Sequence, residues 1–135
     1  MRGHDCAAQS GLAVMNFALG QTAEVTRRFS ARDVARYSAL GGHETATNEV
    51  PEPLLGALFS YLLGVRLPGV GTNYLKQEMR FLRAPRIDET LHACVEISRL
   101  RPEKHLVDLK TTCTGDDGTP VCEGRALVYV GEITA

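Results

Sequence analysis

Glu52-Pro-Leu-Leu-Gly-Ala-Leu-Phe-Ser-Tyr-Leu-Leu-Gly64, running into Leu67-Pro-Gly-Val-Gly-Thr-Asn-Tyr-Leu75, decides the fold. Leu54, Leu55, Leu58, Phe59, Leu62 and Leu63 recur at helical spacing, on a face broad enough to be buried almost all round. Proline in the first turn suits a helix start, where its missing N–H does no harm. A helix this apolar needs a sheet to wrap it, and the flanking sequence supplies one.

Downstream, the Gly69-Val-Gly71 turn precedes four alternating segments that predict strands over 72–81, 90–100, 106–114 and 121–130. Pro85-Arg-Ile-Asp-Glu, Arg101-Pro-Glu-Lys and Gly115-Asp-Asp-Gly118 join them, the last a strong hairpin signal. Upstream, 21–29 reads as a first strand. Ser30 is an N-cap with Asp33 closing a capping box, and a short helix over 31–39 ends at Gly41-Gly42. Residues 43–50 are polar and irregular, a loop. The expected architecture is α+β, one long central helix wrapped by a five- or six-stranded antiparallel sheet. Such a sheet leaves the far end of the helix half open, and a dimer that extends the sheet would close it.

At 135 residues the chain is long enough for one domain with its own core. Residues 15–135 are read as that domain, and 1–14 as a disordered extension. Fifteen basic against sixteen acidic residues, with no basic stripe, argue against nucleic acid as a partner. The apolar run Gly11–Phe17 is too short for a signal sequence or a membrane span. Cys6, Cys94, Cys113 and Cys122 lack metal-site spacing and read as reduced cysteines of a cytoplasmic protein. No metal and no cofactor are expected.

Several stretches together resemble the MaoC-type hotdog domain. They are Phe29-Ser-Ala-Arg-Asp-Val-Ala-Arg-Tyr-Ser-Ala-Leu-Gly-Gly42, the Leu-Phe-Ser-x-Leu-Leu-Gly of the central helix, Leu-Pro-Gly-x-Gly-Thr-x-Tyr-Leu, Phe81 with its Ala-Pro turn, and Asp-Gly-x-x-Val near the end. That family comprises (R)-specific enoyl-CoA hydratases and 3-hydroxyacyl-CoA dehydratases, and the resemblance covers about residues 21 to 130. It implies a hotdog fold, a homodimer or higher homo-oligomer with composite sites, and an acyl-CoA or acyl-carrier thioester as ligand.

The resemblance breaks at the chemistry. The family's Asp-x-Asn-Pro-x-His corresponds to His43-Glu-Thr-Ala-Thr-Asn48, so His43 stands for the aspartate and Asn48 for the histidine. The segment from Asn48 to the central helix is shortened, and Glu52-Pro53-Leu54-Leu55 replaces the family's His-Gly-Met-Leu. Proline has no N–H with which to polarise a thioester carbonyl. Leu54 and Leu55 would then offer the free amides of the helix start.

Hydration needs a base for water, an acid for the α-carbon and donors for the carbonyl, and one carboxylate can fill both proton roles. Glu49 and Glu52 are the nearest carboxylates, and His43 with Glu44 or Glu49 is the alternative. Along 72–81, alternation puts Asn73, Leu75, Gln77, Met79 and Phe81 on one face and Tyr74, Lys76, Glu78 and Arg80 on the other. Gln77 would hydrogen-bond either substrate or buried backbone. Lys76 and Arg80, with Arg83 and Arg86, would form either a rim for coenzyme A phosphates or a solvated face. Three function classes stay open: a variant enoyl-CoA hydratase, a thioesterase using a carboxylate at the start of the central helix, and a silent thioester-binding or partner subunit.

Overall fold

A computed structural model describes residues 17–42 and 48–131. In chain order the elements are β1 (Thr22–Arg28), α1 (Ala31–Ala39), α2 (Glu52–Tyr61), a π-helical turn (Leu62–Arg66), β2 (Thr72–Phe81), β3 (Thr90–Arg101), a 3₁₀ turn (Pro102–Lys104), β4 (Leu106–Thr114) and β5 (Pro120–Val130). Five strands form one antiparallel sheet in the order β1-β3-β4-β5-β2, the hotdog arrangement expected.

Local chemistry explains the boundaries. Ser30 accepts from the Asp33 N–H while the Asp33 carboxylate takes the Ser30 N–H, so the capping box forms. That backbone hydrogen bond holds the Asp33 carboxyl below its usual range. At the far end of α2, the Leu67 N–H reaches the Leu62 carbonyl at 2.8 Å, one residue beyond α spacing, which widens the last turn. In the β4–β5 hairpin, the Gly118 N–H closes on the Gly115 carbonyl at 3.0 Å with Gly118 at φ +82°, a conformation a side chain disfavours.

The core is Leu55, Leu58, Phe59, Leu62 and Leu63 of the helix against the inner faces of β3, β4 and β5. The helix is not buried almost all round, as its sequence suggested. Glu52, Pro53, Ala57, Ser60 and Tyr61 are exposed, because one five-stranded sheet curls round only one flank. Tyr61, Val65, Tyr74 and Leu75 stay exposed along that open flank and the β2 edge.

The predicted two-residue alternation of β2 also fails at one point. The β2–β5 register shifts between Tyr74 and Lys76, so Leu75 is an extra residue. Tyr74 therefore pairs opposite buried Val128 and shares the inner side with Gln77, whereas Asn73 falls on the other. The Tyr74 hydroxyl donates to the Gln77 side-chain carbonyl, a contact the simple alternation forbids.

Candidate functional site

The start of α2 is held in place by the β2–β3 loop. The Val50 N–H donates to the Pro85 carbonyl at 2.9 Å, and the Ile87 N–H donates to the Asn48 carbonyl at 2.8 Å. Glu49 and Arg86 are bridged between these two bonds. Asn48 takes φ +72°, which asparagine tolerates better than most residues. Val50 and Pro51 are buried, so the chain enters the helix from a fixed point.

The loop is braced in turn. Arg83 and Glu89 form a two-pronged ion pair, Nη1 to Oε1 at 3.0 Å and Nη2 to Oε2 at 2.5 Å. Glu89 also accepts the Arg86 N–H at 3.0 Å, and Arg83 reaches Thr119 across to the hairpin. The Arg83 hydrogen bond holds the Glu89 carboxyl below its usual range, against the opposing effect of burial. No sequence motif announced this pair, although Arg83 and Glu89 flank the Pro85 turn that carries the bridge.

Its loss should be measurable. Glu89→Gln is expected to cost about 1–2 kcal/mol of stability near neutral pH, by stranding the Arg83 guanidinium. Because the folded carboxyl titrates low, the pair's contribution is complete above the unfolded carboxylate value of about 4.3. It is lost as pH falls through the lower folded value, so denaturant melts of wild type and E89Q should converge in acid. A gap that stays constant from neutral to acid pH would refute the assignment.

The expected site residues are distributed as follows. Glu52 is the first residue of α2 and is exposed; its carboxylate lies close enough to Cys122 to oppose that thiol's ionisation. Glu49 is half-buried in the bridge. Asn48 is exposed and engaged through its carbonyl. His43 lies outside the described residues. Leu54 does not offer a free amide, because its N–H donates to the Pro51 carbonyl at 3.0 Å. Leu55 is wholly buried. By position, the Glu52 N–H is a first-turn donor with no intrahelical acceptor.

Gln77 is spent on structure. Its amide nitrogen donates to the Glu78 and Arg125 carbonyls at 3.0 and 3.2 Å and lies 3.4 Å from Thr111 Oγ1, while its oxygen takes the Tyr74 hydroxyl. This chain satisfies Thr111, a fully buried hydroxyl among apolar neighbours. Lys76 and Arg80 lie on the outer face of the sheet, each 3.3 Å from a carboxylate, Glu78 and Glu123 respectively. An open depression of about 630 Å³ lies beside the bridge, but Asp88, Glu89, Asp116 and Asp117 outnumber Arg83 and Arg86 there.

No protein-family model matches the chain. It is 34% identical over 125 residues to the (R)-specific enoyl-CoA hydratase of Rhodospirillum rubrum, spanning 82% of this chain and 86% of that one. To the (R)-specific enoyl-CoA hydratase of Aeromonas caviae it is 31% identical over 131 residues, spanning 87% and 98%. The solved (R)-hydratase from A. caviae involved in PHA biosynthesis matches it with a TM-score of 0.82 at 30% identity, over 87% of this chain and 99% of that one. A central helix held by a β1-β3-β4-β5-β2 sheet, joined to this identity over nearly the whole length of two such enzymes, makes the chain a member of the (R)-specific enoyl-CoA hydratase family.

Proposed function

We propose that the protein adds water reversibly to the double bond of a 2-enoyl thioester of coenzyme A or an acyl carrier, giving the 3-hydroxyacyl thioester. The observation that carries this reading is the near-full-length identity to two enzymes named (R)-specific enoyl-CoA hydratase. Glu52 is the group to which we assign the proton chemistry. As a carboxylate it takes a proton from water while the oxygen attacks the β-carbon, and as the acid so formed it returns that proton to the α-carbon. Charge building on the thioester oxygen faces the first-turn N–H of Glu52 and the positive end of the helix dipole. With Lys76 and Arg80 balanced by Glu78 and Glu123, this reading gives them no role beyond a solvated sheet face.

A second copy completes the site in this reading. The open flank of α2 and the exposed Tyr61, Val65, Tyr74 and Leu75 adjoin the β2 edge, where a partner's β2 would extend five strands to ten and cover them. Covering Glu52 in the same step would take its carboxylate out of bulk water, as a group that alternates between base and acid requires.

Purified protein incubated with enoyl-CoA and saturated acyl-CoA thioesters, analysed by mass spectrometry, should yield the hydrated enoyl product without release of free coenzyme A. Sedimentation of the same preparation should give at least twice the 14.7 kDa of one chain. Coenzyme A release from saturated substrates would make it a thioesterase instead, and binding without turnover would make it a silent subunit.

A further inference from the structure

Cys113 on β4 and Cys122 on β5 are direct register partners, and both are about 1% exposed. Opposed residues of an antiparallel pair project to the same side with Cα atoms roughly 4.5–5.5 Å apart. A disulfide spans Cα separations of roughly 4.4–6.8 Å, so the register places the two backbones within the span of one. Both are reduced.

The two sulfurs are also chemically unequal. The pairing with Cys122 pulls the Cys113 thiol below its usual range, while the pairing with Cys113 and burial push the Cys122 thiol up. The Arg83 guanidinium lowers Cys113 further, against burial and Glu89. Cys94, by contrast, is pushed up by burial and by Glu24 and Glu96. Thiolate character is what makes a cysteine attack an oxidant, and the Arg83 cation favours it at Cys113 while the Glu123 and Glu52 carboxylates oppose it at Cys122, which gives Cys113 the attacking role and Cys122 the resolving one. Access comes from the end of the sheet. The β4–β5 ladder is irregular just after Cys113 and turns at once into the hairpin, where local opening is easiest.

We propose that Cys113 and Cys122 are a modification site, a dithiol that a peroxide oxidises to a disulfide across β4 and β5. The Cys113 thiolate attacks one peroxide oxygen and the O–O bond breaks. Cys113 becomes a sulfenic acid, and the departing hydroxide takes up the proton Cys113 had released, leaving as water. The Cys122 sulfur then attacks the Cys113 sulfur, the S–O bond breaks, and a second water leaves with the Cys122 proton. Two thiols have lost two electrons and the peroxide has gained them. Glu52 at the start of α2 is among the carboxylates whose charge opposes ionisation of Cys122. None of this depends on which reaction the protein catalyses.

The test uses the full chain carrying Cys6→Ser and Cys94→Ser, so that only the pair remains. Folded protein is treated with hydrogen peroxide, quenched with catalase, alkylated and mapped by peptide mass. The expected product has lost two hydrogens, contains a peptide linking Cys113 to Cys122, and returns to the starting mass with a thiol reductant. In a variant that also carries Cys122→Ser, Cys113 has no resolving partner and should climb to the sulfinic acid. Two alkylated cysteines after peroxide would overturn the proposal. So would sulfinic acid on either cysteine of the paired protein without a linked peptide.

Discussion

Replacing Glu52 with glutamine is expected to lower the turnover number for enoyl-thioester hydration by about 10²–10⁴-fold, the usual contribution of a positioned acid–base group. Glutamine keeps the size, the hydrogen bonding and the helix start, and removes only the ability to take and return a proton. The KM should move far less, because the substitution removes proton transfer and leaves the size and hydrogen bonding of the side chain in place. The side cost is small: the first-turn acid contributes about 0.3–1 kcal/mol through the helix dipole. E52Q protein with an unchanged melt and a turnover number within threefold of wild type would remove Glu52 from the reaction. His43→Ala would then be the next substitution, and a rate limb near pH 6.5 in the wild type would favour it.

The second large effect is structural. Gly124 on β5 lies so close to β2 that a Cβ there would sit 1.8 Å from the Glu78 carbonyl oxygen and 2.8 Å from its carbon. These are backbone atoms of the neighbouring strand and have no rotamer by which to escape. Gly124→Ala should therefore force β2 away from β5 and cost at least about 3 kcal/mol, the upper range of overpacking. β2 is an edge strand held to the sheet through β5, so the damage should spread to the Gln77 chain and to any dimer formed through that edge. Thermal melts and sedimentation of the variant measure both. A G124A protein that melts and sediments like wild type would show that the strands part at little cost.

Much of the fold was legible because it rests on period. Six apolar residues at helical spacing marked α2, and runs between glycine- and proline-bearing turns marked β2 to β5. Ser30 and Asp33 marked the start of α1. What escaped was whatever depends on a neighbour in space. The extra residue at Leu75 is set by pairing with β5, and it reversed the side on which Tyr74 was expected. That one sheet leaves part of the helix open was expected of the architecture, but that the open side runs along Glu52, Pro53, Ala57, Ser60 and Tyr61 follows from the reach of the sheet, which no helical pattern records. Gln77 looked equally suited to substrate or to backbone, and only the buried Thr111 beside it decides. The site was less legible. Glu49 and Glu52 stood out by type and position, but the Arg83–Glu89 brace needs residues six apart to meet across a loop, and the facing of Cys113 and Cys122 needs the hairpin register.

The bridge from Asn48 and Val50 to Ile87 and Pro85 has a consequence for protein engineering. Gly42 is fastened on the other side, its N–H on the Tyr37 carbonyl at 3.0 Å, and a Cβ there would press on the Tyr37 ring. Gly42 and Asn48, on either side of residues 43 to 47, are thus each held by backbone hydrogen bonds to described residues. That is the layout of an exchangeable cassette. A longer segment bearing the aspartate and histidine of the family's motif can be spliced between Gly42 and Asn48 with the helix start left where it is, so old and new proton-handling groups can be compared within one scaffold.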